Sequence, residues 1–268
     1  MARSLRIGVV QATSAKTKQE SLRRINSLLS RNRVEADLLV FPEYLMADPT
    51  GEKPEFVAGV AEELNGEWIQ FFQEIAREYS VYIVASMFEK NSRSKPYNTV
   101  FVLDSSGAII STYRKIHLFN AYGYRESDYF EPGGEIPSPV DIKGFKVGLS
   151  VCFDLRFPEL YRAYALMGAD IVVVPSAWYS GPLKEETLRA LLKARAHENT
   201  IYLAAPVLYG KHFTGRSMVI DPYGVVILDL GIGEKYAEIN LYRDILEEAR
   251  KTLPLLEMRR PDLYRKIL

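Results

Sequence analysis

Cysteine is almost missing from this chain: its 268 residues hold one, Cys152. A single thiol excludes a disulfide framework within the chain and predicts a reducing, cytoplasmic setting. Charge of one sign is missing too. Thirty-four Lys and Arg balance 34 Asp and Glu. That balance argues against a nucleic-acid or membrane surface and leaves little repulsion against self-association. No apolar run approaches the roughly 20 residues that span a bilayer. The opening Met1-Ala2-Arg3-Ser4-Leu5-Arg6 lacks the apolar segment and cleavage site of a secretory signal. Histidine is scarce, at three scattered positions, so with one Cys no zinc-ligand spacing arises. Walker-type and dinucleotide-binding glycine patterns are absent.

What is present is an ordinary globular composition, 47% apolar and 25% charged, which predicts one soluble domain over 1–268. Apolar, β-rich runs fall at 5–10, 37–41, 81–87, 99–103, 146–151, 170–174, 201–206, 217–220 and 236–239. Several are apolar on both faces, as in Ile171-Val172-Val173-Val174, and such strands belong in sheets covered on both sides. Helical periodicity falls between them, at 17–33, 66–79, 158–167, 182–199 and 242–253. Thr17-Lys18-Gln19-Glu20 has the form of a capping box, and Pro158 suits a first helical turn. Residues 119–143 form a long Gly- and Pro-rich loop of the kind that often carries function. The charged tail from about 254 to 268 is expected to pack on a partner subunit, or to fray.

Cys152 ends a strand-like run and precedes a turn into a helix. A thiol there is held rigidly, and a helix N-terminus beyond it would lower its pKa. The alternative is a buried Cys acting as a small hydrophobe. Glu43 follows the buried run Leu39-Val40-Phe41-Pro42, and ligands of covered α/β sheets bind beyond the carboxyl ends of strands. Alone, Glu43 reads equally as a solvated loop residue, and Lys115 as a surface charge. Together they supply what a thiol needs for acyl transfer, a base to take its proton and a cation for the developing oxyanion. A Cys–His pair is the competing arrangement, with His117, His197 and His212 as candidates.

These segments resemble the nitrilase superfamily of carbon–nitrogen hydrolases. Leu39-Val40-Phe41-Pro42-Glu43 is similar to the family's catalytic Glu segment, and Tyr113-Arg114-Lys115-Ile116-His117-Leu118 to its Lys segment. Cys152-Phe153-Asp154-Leu155-Arg156-Phe157-Pro158-Glu159 resembles its nucleophile segment, and Arg195-Ala196-His197-Glu198-Asn199 one of its helices. Late segments, 217–222 and Arg260-Pro261-Asp262-Leu263-Tyr264, also match, so the likeness spans the chain in order.

The resemblance implies an α/β fold, a four-layer α-β-β-α sandwich, assembled into a homodimer or higher homo-oligomer. It implies Cys152 as nucleophile, Glu43 as base, and Lys115 with the backbone N–H of Phe153 as oxyanion partners. Glu126 would orient Lys115. No metal or organic cofactor is required. The Cys-Phe-Asp-Leu-Arg-Phe-Pro-Glu string is similar to the branch that holds ω-amidase and deaminated-glutathione amidase. In that branch the Arg four after Cys, here Arg156, binds a substrate carboxylate, a task that suits a guanidinium fork. A structural salt bridge is the alternative for Arg156. Trp178 would line the pocket, and Tyr122, in the loop at 119–124, would meet the substrate at its mouth.

The sequence departs from the branch at Trp178-Tyr179-Ser180-Gly181-Pro182, at Thr187-Leu188 and in the loop at 119–124, all near the expected pocket. The expected activity is hydrolysis of a small aliphatic, carboxylate-bearing amide to acid and ammonia. A nitrilase or N-carbamoyl amine hydrolase would use the same residues. A non-catalytic metabolite-binding scaffold is the reading from another class.

Overall fold

The computed structural model describes residues 4–13, 15–92 and 95–264. The chain opens with β1 (Ser4–Gln11), α1 (Lys18–Ser30), β2 (Leu38–Val40), α2 (Pro54–Val60) and α3 (Glu67–Tyr79). Then come β3 (Tyr82–Glu89), β4 (Tyr97–Leu103), β5 (Ile109–Arg114) and a small hairpin, β6 (Asn120–Ala121) with β7 (Tyr124–Arg125). The second half begins with β8 (Val140–Ile142), β9 (Phe145–Leu149), α4 (Pro158–Leu166), β10 (Ile171–Val173), α5 (Lys184–Asn199) and β11 (Tyr202–Ala205). It continues through the hairpin of β12 (Tyr209–Gly210) and β13 (Phe213–Thr214), then β14 (Met218–Ile220), β15 (Val226–Asp229) and β16 (Lys235–Tyr242). Helices α6 (Arg243–Thr252) and α7 (Pro261–Tyr264) follow.

Two six-stranded sheets result, ordered β16-β1-β2-β3-β4-β5 and β15-β14-β11-β10-β9-β8. Each has three parallel central strands, β1-β2-β3 in one and β9-β10-β11 in the other, flanked by antiparallel neighbours. Strand alternation divides the core into two. In β2, Leu38 and Val40 face the second sheet, while Leu39 between them packs toward α1 and α3 with Ile25, Trp68 and Phe72. The second sheet's other face is covered by Leu160, Tyr161 and Tyr164 of α4 and Leu188 and Leu192 of α5. The layers therefore run α, β, β, α, as the resemblance implied.

Close contacts fix the strand that leads to Cys152. A Cβ at Gly148 would stand 2.8 Å from the Tyr164 ring, so glycine lets α4 press on β9. Pro158 occupies the first turn of α4. At α1 only half of the expected capping box forms. Thr17 accepts from the Glu20 N–H at 3.4 Å, while the Glu20 carboxylate turns instead to Arg24 at 2.6 Å. Helix α2 and edge strands β8 and β15 lie outside the runs expected from the sequence. They are short, and β15 is only half-buried, which weakens any periodic signal.

In the tail, Leu256 packs against the core that contains the second sheet, and α7 is exposed. Residues 265–268, the end of the tail expected on a partner subunit, lie outside the described residues. No helix among the described residues is long and apolar enough to cross a membrane.

Candidate active site

Strand β9 runs on past Leu149 in extended form. The Ser150 N–H donates to the Val173 carbonyl and the Cys152 N–H to that of Pro175, each at 3.0 Å. At Cys152 the backbone turns sharply. Its φ is +43°, a strained value for a residue with a side chain, and a 3-10 turn follows over Cys152–Arg156. Asp154 holds this elbow. Its buried carboxylate accepts from the Val151 N–H at 2.9 Å, the Tyr113 hydroxyl at 2.7 Å and the His117 N–H at 3.1 Å. Tyr113 and His117 flank Lys115, so one carboxylate ties the nucleophile turn to the lysine segment. From α5, Arg195 donates to the Leu155 carbonyl at 3.1 Å.

The expected groups converge. Lys115 Nζ lies 2.9 Å from Glu43 Oε1 and 2.8 Å from Glu126 Oε2, with all three side chains buried. The Glu43 carboxylate also accepts from Asn98 Nδ2 at 2.7 Å and from the Ala177 N–H at 2.8 Å, and its charge acts on the Cys152 thiol in the same cavity. A carboxylate offers about four lone-pair sites, and Lys115, Asn98 and the Ala177 N–H occupy three of those on Glu43. Glu126 is gripped by the Tyr44 hydroxyl at 2.7 Å, the Phe119 N–H at 2.6 Å and Asn98 at 3.2 Å. Gly133 seats the long loop against this segment. Its N–H donates to the Lys115 carbonyl at 2.8 Å, and a Cβ there would stand 2.2 Å from the Arg114 carbonyl oxygen.

The electrostatics differ from the sequence expectation in one respect. Burial, and then the adjoining Glu43 carboxylate, push the Cys152 thiol well above its ordinary range, and Lys115 pulls it back only in part. The direction is opposite to the lowering expected from a helix N-terminus. One lysine between two carboxylates already leaves one excess negative charge, and a thiolate would add a second. Burial raises Glu43 above the usual carboxylate range, against the pull of Lys115. For Lys115 burial acts downward, but Glu126 and Glu43 override it and hold the ammonium well above its normal value. These directions favour a protonated thiol beside a charged Lys115.

These groups open on a cavity of about 370 Å³, partly open to solvent, whose wall includes Glu43, Lys115, Cys152, Phe153, Arg156 and Trp178. Arg156 has no carboxylate partner among the described residues, so the structural salt bridge weighed for it does not form. Its guanidinium lies 4.3 Å over the Trp178 ring and 5.1 Å from that of Phe153. Tyr122 is the expected residue that does not reach this wall. The left-handed turn at Tyr122 and Gly123, φ 54° and 79°, leaves it 78% exposed. It touches the cavity's residues through Phe119 and through Lys184, whose ammonium sits 3.6 Å from its ring.

The histidines stand apart from Cys152. His117 Nδ1 meets Asp154 at 2.7 Å and its ring stacks on Phe157, His197 is exposed on α5, and His212 packs edge-on near Phe213. Among the described residues no cluster of His, Cys, Asp and Glu is arranged to hold a metal ion. Asn98, Tyr44, Asp154 and Lys184 were not among the expected site residues. For Asn98 a signal existed, since Asn is depleted in strands and this one stands immediately before the apolar run at 99–103.

The chain belongs to the carbon-nitrogen hydrolase family, whose pattern matches residues 6–245, and it is an enzyme of the nitrilase superfamily. Within that family it is 35% identical to the deaminated glutathione amidase of Mus musculus, over 96% of this chain and 84% of that protein. It is 32% identical to the omega-amidase of the same species, over 97% of each. A carbon-nitrogen hydrolase from Helicobacter pylori G27 superposes with a TM-score of 0.89 at 26% identity, covering 99% of this chain and 98% of that one.

Proposed function

We propose that this amidase hydrolyses small aliphatic amides carrying a carboxylate, giving acid and ammonia through a thioester on Cys152. The observation that carries this reading is one cavity lined by the Cys152 thiol, Glu43 and Lys115 together with a guanidinium, Arg156, that has no carboxylate partner among the described residues.

Glu43 takes the thiol proton as Sγ attacks the carbonyl carbon, so a free thiolate never accumulates. Lys115 has three N–H donors, and with its two carboxylates satisfied one remains for the oxyanion. The Phe153 N–H, next along from the nucleophile, supplies the second donor. Such preorganised donors contribute about 100-fold or more each. Glu43 then passes its proton to the nitrogen, the C–N bond breaks and ammonia leaves. Water replaces it and gives a proton to Glu43. The resulting attack opens the thioester, and Glu43 returns the proton to sulfur. Glu126 and Asn98 hold Lys115 and Glu43 in place throughout, and Arg156 takes the substrate carboxylate.

Ammonia release from a panel that includes glutaramate and chain-matched neutral amides tests the reading. Turnover is expected for the carboxylate-bearing members and none with Cys152→Ala. Equal turnover by Cys152→Ala would overturn it.

A further inference from the structure

We propose that His117 is a positioning residue for this reaction: through Asp154 and Phe157, its ring holds the turn that presents Cys152 and the Phe153 N–H. The proposal rests on the thioester chemistry above and adds to it a group that is not part of the cavity wall.

The Asp154 carboxylate is buried, and its partners divide evenly between its oxygens. Oδ2 accepts from the Val151 N–H at 2.9 Å and the Tyr113 hydroxyl at 2.7 Å. Oδ1 accepts from the His117 N–H at 3.1 Å and meets His117 Nδ1 at 2.7 Å. These partners meet the roughly four lone-pair sites of a carboxylate, and a carboxylate that accepts on both oxygens leaves Nδ1 the donor. The partners are not equivalent. Two are backbone N–H groups. Burial, and then Asp154 itself, hold the Tyr113 hydroxyl far above its ordinary range, so it stays a neutral donor. His117 is the one of the four able to bring a positive charge. A buried carboxylate is costly unless it is paired.

The ring's second contact is with the turn itself. It lies flat on Phe157, with centroids 3.7 Å apart and planes 7° from parallel. Phe157 closes the turn, its N–H donating to the Asp154 carbonyl at 2.9 Å. The Phe157 ring in turn meets Phe153 edge-on at 5.5 Å. One imidazole therefore holds both the carboxylate inside the turn and the ring at its end. Cys152 stands at the other end, at a φ of +43°. Such a conformation persists only where its surroundings over-determine it.

The same ring acts on the lysine. Tyr113 and His117 stand two residues to either side of Lys115, and both end on Asp154. The two oxyanion partners, the Lys115 ammonium and the Phe153 N–H, come from different sheets, and this carboxylate sets the distance between their segments. Oxyanion donors act by being placed in advance, and an error of about 1 Å in placement can cost about 100-fold in rate. His117 thus serves the rate of the chemical step and makes no contact with the substrate.

Two variants separate the contacts. His117→Phe keeps a ring on Phe157 and gives up the Nδ1–H. His117→Asn keeps an amide N–H near the place of Nδ1 and gives up the stack. Two rates are read, steady-state turnover of glutaramate and the burst of p-nitrophenolate from p-nitrophenyl acetate. In the burst the C–S bond forms, the C–O bond breaks, nitrophenolate leaves with the electron pair and Glu43 takes the thiol proton, so the oxyanion is probed without an amide. Both kcat and the burst rate are expected to fall about tenfold in His117→Phe, less than the roughly 100-fold of a lost oxyanion donor, with KM unchanged within about twofold. Most of the loss should return in His117→Asn. With Asp154→Asn already present, His117→Phe should cost little more. Rates in His117→Phe within about twofold of wild type, a His117→Asn no faster than His117→Phe, or a loss carried by KM alone overturns the proposal. A wild type that gives the ester burst and leaves glutaramate intact removes the carboxylate-amide reading, and the burst rates then decide the proposal by themselves. No burst dependent on Cys152 overturns both.

Discussion

The two sheets share one strand pattern, antiparallel, parallel, parallel, antiparallel, antiparallel, read from β16 in the first and from β8 in the second. What they bring to the cavity differs. The first sheet and its loops contribute Glu43, Lys115, Glu126 and Asn98, a buried set in which one lysine lies between two carboxylates. The second contributes Cys152, Arg156, Trp178 and Lys184, a neutral thiol and two cations lying on aromatic faces. Buried charges held by several hydrogen bonds are rigid and suit proton transfer. Unpaired cations on a cavity wall are free to take a ligand. On the proposed reading, proton transfer and oxyanion stabilisation rest on the first sheet's charges, and the nucleophile and the choice of substrate on the second sheet's side chains.

Breaking the first set has the largest expected effect. Lys115→Met leaves Glu43 and Glu126 facing each other without their cation. Turnover is expected to fall by about 100-fold or more. Removing one partner from a buried ion set costs about 3–5 kcal/mol, measured as a lower denaturation midpoint. Asp154→Asn comes next. The amide cannot accept from all of the Val151 N–H, Tyr113 hydroxyl and His117 groups that now meet the carboxylate. A loss of about 1–3 kcal/mol should accompany a fall in kcat, because the elbow and the Lys115 segment lose their tie. An unchanged kcat would show that Asp154 serves stability alone.

Arg156→Met probes the second set. The expected result is a KM for glutaramate raised about tenfold or more, with little change for a chain-matched neutral amide. A uniform loss on both would assign Arg156 to the scaffold. The smallest effect is in the pH profile. Glu43 must be ionised to accept the thiol proton, and its pKa is raised by burial. The acid limb of kcat/KM should therefore lie above the ordinary Glu value of about 4.3. Lys115 stays charged through the alkaline range, so it contributes no falling limb near neutral pH. The raised Glu43 pKa also sets a stability sign. Its contribution is favourable below the unfolded value and is lost as pH rises through the folded one. Glu43→Gln should accordingly abolish turnover without lowering the melting temperature at neutral pH.

Much of this was legible in the sequence, and the exceptions have physical causes. Both-face-apolar runs such as 171–174 marked the central strands, because a covered parallel sheet demands them. Glu43, Lys115, Cys152 and Glu126 were readable because each sits in its own local pattern, and they meet as the resemblance implied. The thiol pKa was not readable. The local argument saw a helix to the C-terminal side, while the decisive charges, Glu43 and Glu126, are distant in the chain. Asp154 lay inside a quoted motif, yet its ties to Tyr113 and His117 exist only once the two sheets pack. Tyr122 was placed at the substrate from its loop, but a left-handed turn keeps it in solvent.

The most direct test of the division between the sheets is to trap the acyl group. Wild-type protein turning over glutaramate is quenched in acid at short times and its peptides are weighed. The expected result is one glutaryl group on the peptide containing Cys152, accumulating before steady state and absent from Cys152→Ala. Product formed with no adduct on Cys152 at any quench time, and formed equally by Cys152→Ala, would contradict the account.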